Sequence, residues 1–418
     1  MTSLTSVESS AEKTLISARR HHARGFWVIT YMFTVTMASG GIPTPLYVLY
    51  QQRDGLSALT LTFIFGSYAL GVAGSLFLAG HISDRFGRRR IIAPAVLLTV
   101  LSTLVFIVWP ALPGLVLARF ISGLGIGMLT ATATAHMTEL LGVARPRGGH
   151  SRAQVVATAA NMGGIGLGPL IAGILAQYAP QPLYTPYIVV AFLLIFGLLA
   201  VVTVPETVAP IDEAWQYKPQ RVVVPRSARG RYISALMMGF VSFAMFGFFT
   251  ALAPSVMSLQ LHITSHVLAG LVPFLVFAAA AVFQILSSAW KLKAQNVVGV
   301  ILLAAGVVLI PVAVVASSFA LLIVGGIVAG IGGGVTFKAA LGTVVSITPA
   351  ETRGEALAGL FLAAYIGLAV PVILLGLMMQ LVSTALAVAL FGAVMIALLV
   401  VTSVLLSRAS AGARAASS

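Results

Sequence analysis

The chain contains no cysteine, which excludes disulfides, thiolate-bound zinc, iron–sulfur clusters and thiol nucleophiles. Charge is scarce as well: 8% of the 418 residues are Asp, Glu, Lys or Arg, against about 25% in an ordinary globular domain. The ten acids are Glu8, Glu12, Asp54, Asp84, Glu139, Glu206, Asp212, Glu213, Glu351 and Glu355, and none lies well inside an apolar run. Neither the H-E-x-x-H pair of a zinc metalloprotease nor a G-x-x-x-x-G-K-[ST] phosphate loop occurs. No metal site, no cofactor and no enzymatic activity are therefore expected. Residues 1 to 25 lack a short apolar core followed by a cleavage site, so no signal peptide is read there. What the chain has in abundance is apolar side chains, 59% of the total, with a mean hydropathy of +1.05. This is the composition of a membrane protein.

A spanning helix needs about 20 mainly apolar residues, and twelve such runs are present. They cover 26 to 49, 57 to 80, 91 to 109, 113 to 137, 153 to 178 and 186 to 204 in the first half. The second half has 232 to 256, 266 to 290, 296 to 316, 319 to 345, 355 to 379 and 383 to 406. The expected fold is an all-α membrane protein with twelve transmembrane helices in two pseudo-symmetric six-helix bundles, 26–204 and 232–406. Cytoplasmic tails at 1–25 and 407–418 and a cytoplasmic linker at 205–231 complete it. An internal repeat supports the two halves: Gly123, Gly125 and Gly127 recur 207 residues on as Gly330, Gly332 and Gly334. Gly168-Pro169 likewise has a counterpart in Val370-Pro371, 202 residues on. Parallel repeats of six helices with a solute path between them are a known transporter plan. The same glycines also suit ordinary helix-packing faces.

Of the 24 basic residues, all but Arg53, Arg119 and Lys338 fall in the termini, the central break and the loops on one side. The positive-inside rule makes that side the cytoplasm. Both termini are thus expected to be cytoplasmic in a multi-pass protein of the cytoplasmic (inner) membrane. The net charge of +14 follows from this orientation and from attraction to anionic headgroups of the lipid bilayer. No nucleic-acid partner is expected, and the chain is read as a monomer.

The densest charge lies between the second and third runs. There, in a chain of six plus six spans, Gly80-x-x-x-Asp84-Arg85-x-Gly87-Arg88-Arg89 resembles the signature loop of the major facilitator superfamily. Arg119-x-x-x-Gly123-x-Gly125 resembles a second signature of that family. Gly164-x-x-x-Gly168-Pro169-x-x-Ala172-Gly173 resembles the glycine-proline motif of its drug and proton antiporters. Here Ala172 replaces a usual glycine and Val155 stands where an upstream glycine would fall. The resemblance implies a conformational latch, in which Asp84 faces the start of span eleven in the outward-facing state. Thr352-x-x-Glu355 reads as a capping box at that helix start. Arg85 or Arg88 is expected to pair with Glu139, and these contacts to break when the inner side opens. Gly87 suits the tight turn between the two helices. In the second half, Ser287 and Lys291 replace the counterparts of Gly80 and Asp84, so any latch is one-sided.

Ionisable groups inside a membrane are costly and usually functional. Arg119, His136 and Lys338 are therefore candidates for proton or substrate coupling. Snorkelling of Arg119 and Lys338 to the headgroups, and a structural hydrogen bond for His136, are the alternatives. Tyr31, Tyr47, Asn161 and Phe246 are candidate cavity residues. Gly123, Gly127, Gly164, Gly168, Pro169, Gly173, Gly330 and Gly334 are candidates for helix packing and kinking. The resulting expectation is a secondary transporter that moves a small-molecule organic solute by alternating access, with protons as coupling partner and efflux as direction. Proton-coupled uptake of an organic anion, with Arg119 and Lys338 as counter-charges, is the alternative. A membrane-embedded receptor or enzyme represents a different class. The lack of an embedded carboxylate favours an anionic or neutral solute.

Overall fold

The computed structural model describes residues 2–79, 86–208, 228–349 and 352–415. Gly80, Asp84 and Arg85 lie outside the described residues, as do positions 209–227 of the central break. The described chain is almost wholly helical and contains no strand. Span one comprises Thr2–Gly41 and Pro43–Asp54, followed by span two, Ala58–Ala79. Spans three to six are Arg88–Val108, Leu112–Ala144, Gly149–Tyr178 and Thr185–Val201. Span seven runs through Arg229–Gly247, Phe248–Leu252 and Ala253–Gln260. Spans eight to twelve begin with His266–Leu286 and Leu292–Val315, and continue with Phe319–Ile347, Arg353–Leu381 and Thr384–Ala415. Eleven of these segments are long and apolar enough to cross a membrane, and Thr185–Val201 is a shorter apolar helix that supplies the twelfth. The molecule is a multi-pass membrane protein.

Two interruptions follow from proline, which lacks the amide proton that an interior helical position donates. In span one the helix breaks between Gly41 and Pro43, and the Ser39 carbonyl accepts from Ile42 N at 3.3 Å. In span seven Pro254 follows a π-helical turn, Phe248–Leu252. Thr250 Oγ1 donates back to the Phe246 carbonyl at 2.8 Å. Such turns are often found where a helix is adapted to function.

The repeat read from the glycines has a packing counterpart. A Cβ on Gly123 would lie 2.2 Å from Tyr68 O, and one on Gly330 2.3 Å from Val276 O. Gly127 abuts Val72 as Gly334 abuts Ala280, and Gly125 abuts Ala95 as Gly332 abuts Leu303. Each second-half neighbour stands 208 residues after its first-half equivalent. Span four therefore packs on spans two and three as span ten packs on spans eight and nine. Without a hydrophobic drive between helices in lipid, this backbone-close contact is a main source of association.

The bundles meet chiefly through two pairs of helices, five with eight and two with eleven, with smaller contacts of span one with spans seven and eight and of span two with span seven. The described cross-bundle contacts gather at the face opposite the termini. Gly173 abuts His266 O at 2.3 Å and Gly376 abuts Thr62 at 2.8 Å, both measured from a built Cβ. Ser255 Oγ donates to Gln51 Oε1 at 2.9 Å, and His266 N to Gln177 Oε1 at 3.0 Å. Nearer the terminal face, Gly74 and Gly163 have open space where a Cβ would be, and Gln154, Val155 and Ala159 of span five are exposed. The cross-bundle contacts of Gly173, Gly376, Ser255 and His266 thus lie toward the face opposite the termini.

Candidate functional site

Arg119 is 1% exposed and sits where span four passes the break in span one. Its Nε and Nη2 donate to Tyr47 Oη at 2.9 and 2.7 Å, and Nη1 donates to the Gly40 carbonyl at 2.6 Å. The guanidinium carbon lies 5.6, 5.6 and 5.1 Å from the ring centres of Tyr47, Phe65 and Tyr68. These partners are all neutral. Cation–π attraction contributes about 0.5–2 kcal/mol per ring, whereas an embedded charge without a counter-ion costs several. The snorkelling alternative does not hold here, because the side chain is enclosed. Tyr68 and Phe65 were not among the sequence candidates.

A second polar assembly closes the first bundle at the terminal face. Gly87 caps span three at φ 98°, and a Cβ there would lie 2.8 Å from Glu206 Oε2. Only glycine meets both demands. Glu206 Oε1 accepts from Arg88 N at 2.9 Å and Oε2 from Arg89 N at 3.0 Å. A carboxylate thereby caps the positive end of span three. Arg88 Nη2 pairs with Glu139 Oε1 at 2.8 Å, and Thr207 Oγ1 donates to Glu139 Oε2. His136 is fully buried, its Nε2 bonded to Pro205 O at 3.1 Å and its Nδ1 without a partner. The Val204-Pro205-Glu206-Thr207 segment after span six is thus stitched to spans three and four.

With this geometry in place, comparison with known proteins is decisive. The family model described as Major Facilitator Superfamily matches residues 28–296 and 235–418. The chain belongs to the Major Facilitator Superfamily. This is a family of transporters, not of enzymes. The arabinose-proton symporter of Bacillus subtilis (strain 168) is 30% identical over 136 residues, covering 30% of this chain and 28% of that one. A protein named for multidrug resistance, MdtD of Salmonella newport (strain SL254), is 28% identical over 153 residues, 37% of this chain and 32% of its own. The matched stretch spans about a third of each relative's length. Among solved structures, the nucleoside transporter NupG has a TM-score of 0.70 at 11% identity, with 91% of this chain and 99% of that one covered. The xylose transporter XylE from E. coli, in a partially occluded inward open conformation, has 0.67 at 14% identity, with 91% and 98% covered. At such identities these structures show the fold alone.

Several superfamily expectations need correction. The expected Arg88–Glu139 pair is formed, and nothing in its position requires it to break as the terminal side opens. The reason is topological: spans three and four belong to one bundle, so their contact does not cross the moving seam. Thr352 is the N-cap of span eleven but makes no capping hydrogen bond, because its ψ of 0° is outside the extended range that aims a capping oxygen at the helix. The latch role of Gly80, Asp84 and Arg85 lies outside the described residues, and Glu355 occupies the first turn of span eleven. Lys338 reaches the terminal end of span eight, where Nζ bonds Gln284 O and Ser288 Oγ. It is therefore far from Arg119 along the helix axis. Tyr31 donates to Leu193 O of span six at 3.1 Å, which turns it away from the path. Asn161 is half-buried on span five, and Phe246 is 2% exposed, stacked on Phe277 at 5.0 Å.

The Glu206 cap has a pH signature. Burial raises its carboxyl pKa, but the backbone N–H groups of Arg88, Thr207, Val208 and Arg89 outweigh burial, leaving it below the ordinary 4.5. A carboxyl depressed in the folded state stabilises above its unfolded pKa, and that stability is lost as pH falls through the folded one. Melting of the purified protein should show Glu206→Gln below the parent at pH 7, by about 0.5–2 kcal/mol as for other lost caps. The two should converge as pH falls through the folded pKa, which lies below the ordinary 4.5. A constant difference down to pH 3 would contradict the cap.

Proposed function

We propose that the chain exports a small organic solute in exchange for protons, by alternating access, from a terminal face that is cytoplasmic. The observation that carries this reading is the seam between spans one and five. Gly164 abuts Thr34 O, Gly168 abuts Ala38 O and Gly41 abuts Pro169, all closer than 3 Å from a built Cβ. Gly164, Gly168 and Pro169 on the span-five side belong to the spacing that resembles the antiporter motif. Backbone pressed on backbone leaves no room for water in the sealed half, which is what a proton gradient requires. The likeness to a protein named for multidrug resistance supports the same reading.

A second reading, proton-coupled uptake of an organic anion, is favoured by Arg119, a buried cation with no carboxylate partner among the described residues. Likeness to a proton symporter supports it. Inside-out vesicles energised to an acid interior separate the two. Export predicts that adding substrate dissipates the pH gradient, and that Arg119→Ala removes the response. No response from cationic, neutral or anionic compounds, with the protein folded and inserted, would favour uptake.

A further inference from the structure

We propose that the solute is a planar aromatic carboxylate, with its negative group directed to Arg119 and its ring laid against the aromatic wall of spans seven, ten and eleven. This rests on the transporter reading and holds for either direction of transport.

Arg119 lacks a counter-ion among the described residues. A guanidinium has five N–H donors, and the three bonds made here all end on neutral oxygens. The described acids at the membrane ends are engaged elsewhere, Asp54 with Arg53 and Glu139 with Arg88. No described carboxylate pairs with Arg119, and it cannot shed its proton. Since the described residues supply no counter-charge, a cationic solute would be repelled and an anionic group on the solute would complete the site. Two donors remain for it, a number that suits the paired oxygens of a carboxylate.

Tyr365 lies on span eleven, which packs across the seam on span two, the span that carries Phe65 and Tyr68 of the Arg119 cluster. From Tyr365 a chain of rings runs inward: Phe243 at 5.5 Å, then Phe337 at 4.8 Å from Phe243, then Phe361 at 5.8 Å from Phe337. Phe246 joins Phe243 at 5.9 Å. Phe243, Phe246 and Phe337 are buried, whereas Tyr365 and Phe361 are half-buried, so the accessible edge of the wall is on span eleven. The wall offers flat, polarisable faces and, apart from the Tyr365 hydroxyl, no polar side chain. Ring-on-ring contact adds energy beyond area burial in offset or edge geometry. A polyhydroxylated solute would leave its donors unmet against the same surface. One negative charge beside one flat apolar body is the complement of these two walls.

The test is calorimetric titration of the detergent-purified full chain with four probes of similar size: 2-naphthoate, decalin-2-carboxylate, 2-naphthamide and a naphthyl-trimethylammonium salt. The expected order places 2-naphthoate at least tenfold above both the saturated acid and the neutral amide, with no binding of the cation. Arg119→Lys should weaken naphthoate while leaving naphthamide unchanged. Tyr365→Leu and Phe361→Leu should bring naphthoate and decalin carboxylate toward parity, which keeps the test independent of whether the arginine variants fold. Equal binding of the saturated and aromatic acids, tighter binding of the cation, or no heat from any probe would each overturn the proposal. Since the vesicle assay covers compounds outside this class, transport of one of those would leave the transporter reading standing while this assignment fell.

Discussion

Replacing Gly168 by leucine is expected to abolish recovery of folded protein. A Cβ at this position would lie 2.0 Å from the Ala38 carbonyl oxygen and 2.9 Å from its carbon. Both are backbone atoms of span one, so no side-chain rotation relieves the clash. The neighbouring contacts are as tight: Gly164 against Met37 Cβ at 2.7 Å, and Gly41 against Ile165 O at 2.7 Å. Spans one and five would have to separate along their whole crossing. Overpacking a soluble core costs about 1–3 kcal/mol and sometimes more. In lipid the loss is harder to recover, because the association of these helices depends on small-residue contact itself. Gly163, five residues earlier with nothing within 4 Å of its built Cβ, is the control. Monodisperse yield on size exclusion should collapse for Gly168→Leu and hold within about twofold for Gly163→Leu, the behaviour of an unstrained position. A Gly168→Leu protein that elutes and melts like the parent would refute the seam.

The spans were legible because twenty apolar residues in a row have no other use in so hydrophobic a chain, and the repeat because backbone contact admits only glycine at fixed spacing. Arg119 announced itself as a charge amid apolar residues. Its surroundings did not: Phe65 and Tyr68 lie in a run that is apolar on every face, so no periodicity marks which side meets span four. The Glu206 cap was hidden by distance, 118 residues from the amide it accepts. Its one signal in the sequence is the Pro205-Glu206-Thr207 segment after span six, which by itself names no partner. Span four ends at Ala144, seven residues past the apolar run, because Glu139 is pinned by Arg88 and does not need to leave the helix. Tyr31 was placed on the path because a tyrosine in a cavity-lining span has the right chemistry. Which way it points depends on how span one lies against span six, and that is a tertiary fact.

The seam within a bundle and the seam between bundles answer differently to the same substitution. Gly173→Val is expected to leave the fold intact and to shift the molecule toward the state open on the opposite face. Its built Cβ lies 2.3 Å from His266 O, and that of Gly270 lies 2.1 Å from Pro169 O. Spans five and eight belong to different bundles, so rocking the bundles apart at this face removes the clash without unfolding either. A penalty of about 1–3 kcal/mol applied to one conformer alone shifts the population ratio by about fivefold to two hundredfold. Transport should fall by a comparable factor, since a cycle needs both states. The absence of cysteine makes the readout direct. Ser255, 0% exposed and bonded across the seam to Gln51, becomes a reporter as Ser255→Cys. Labelling by a membrane-impermeant maleimide added at the opposite face should rise several-fold when Gly173→Val is introduced, with the melting temperature unchanged. Gly270→Val should do the same from the other helix. Unchanged labelling in both would mean that the contact between spans five and eight does not gate this face, and the sealed half would then have to be held elsewhere, at spans two and eleven.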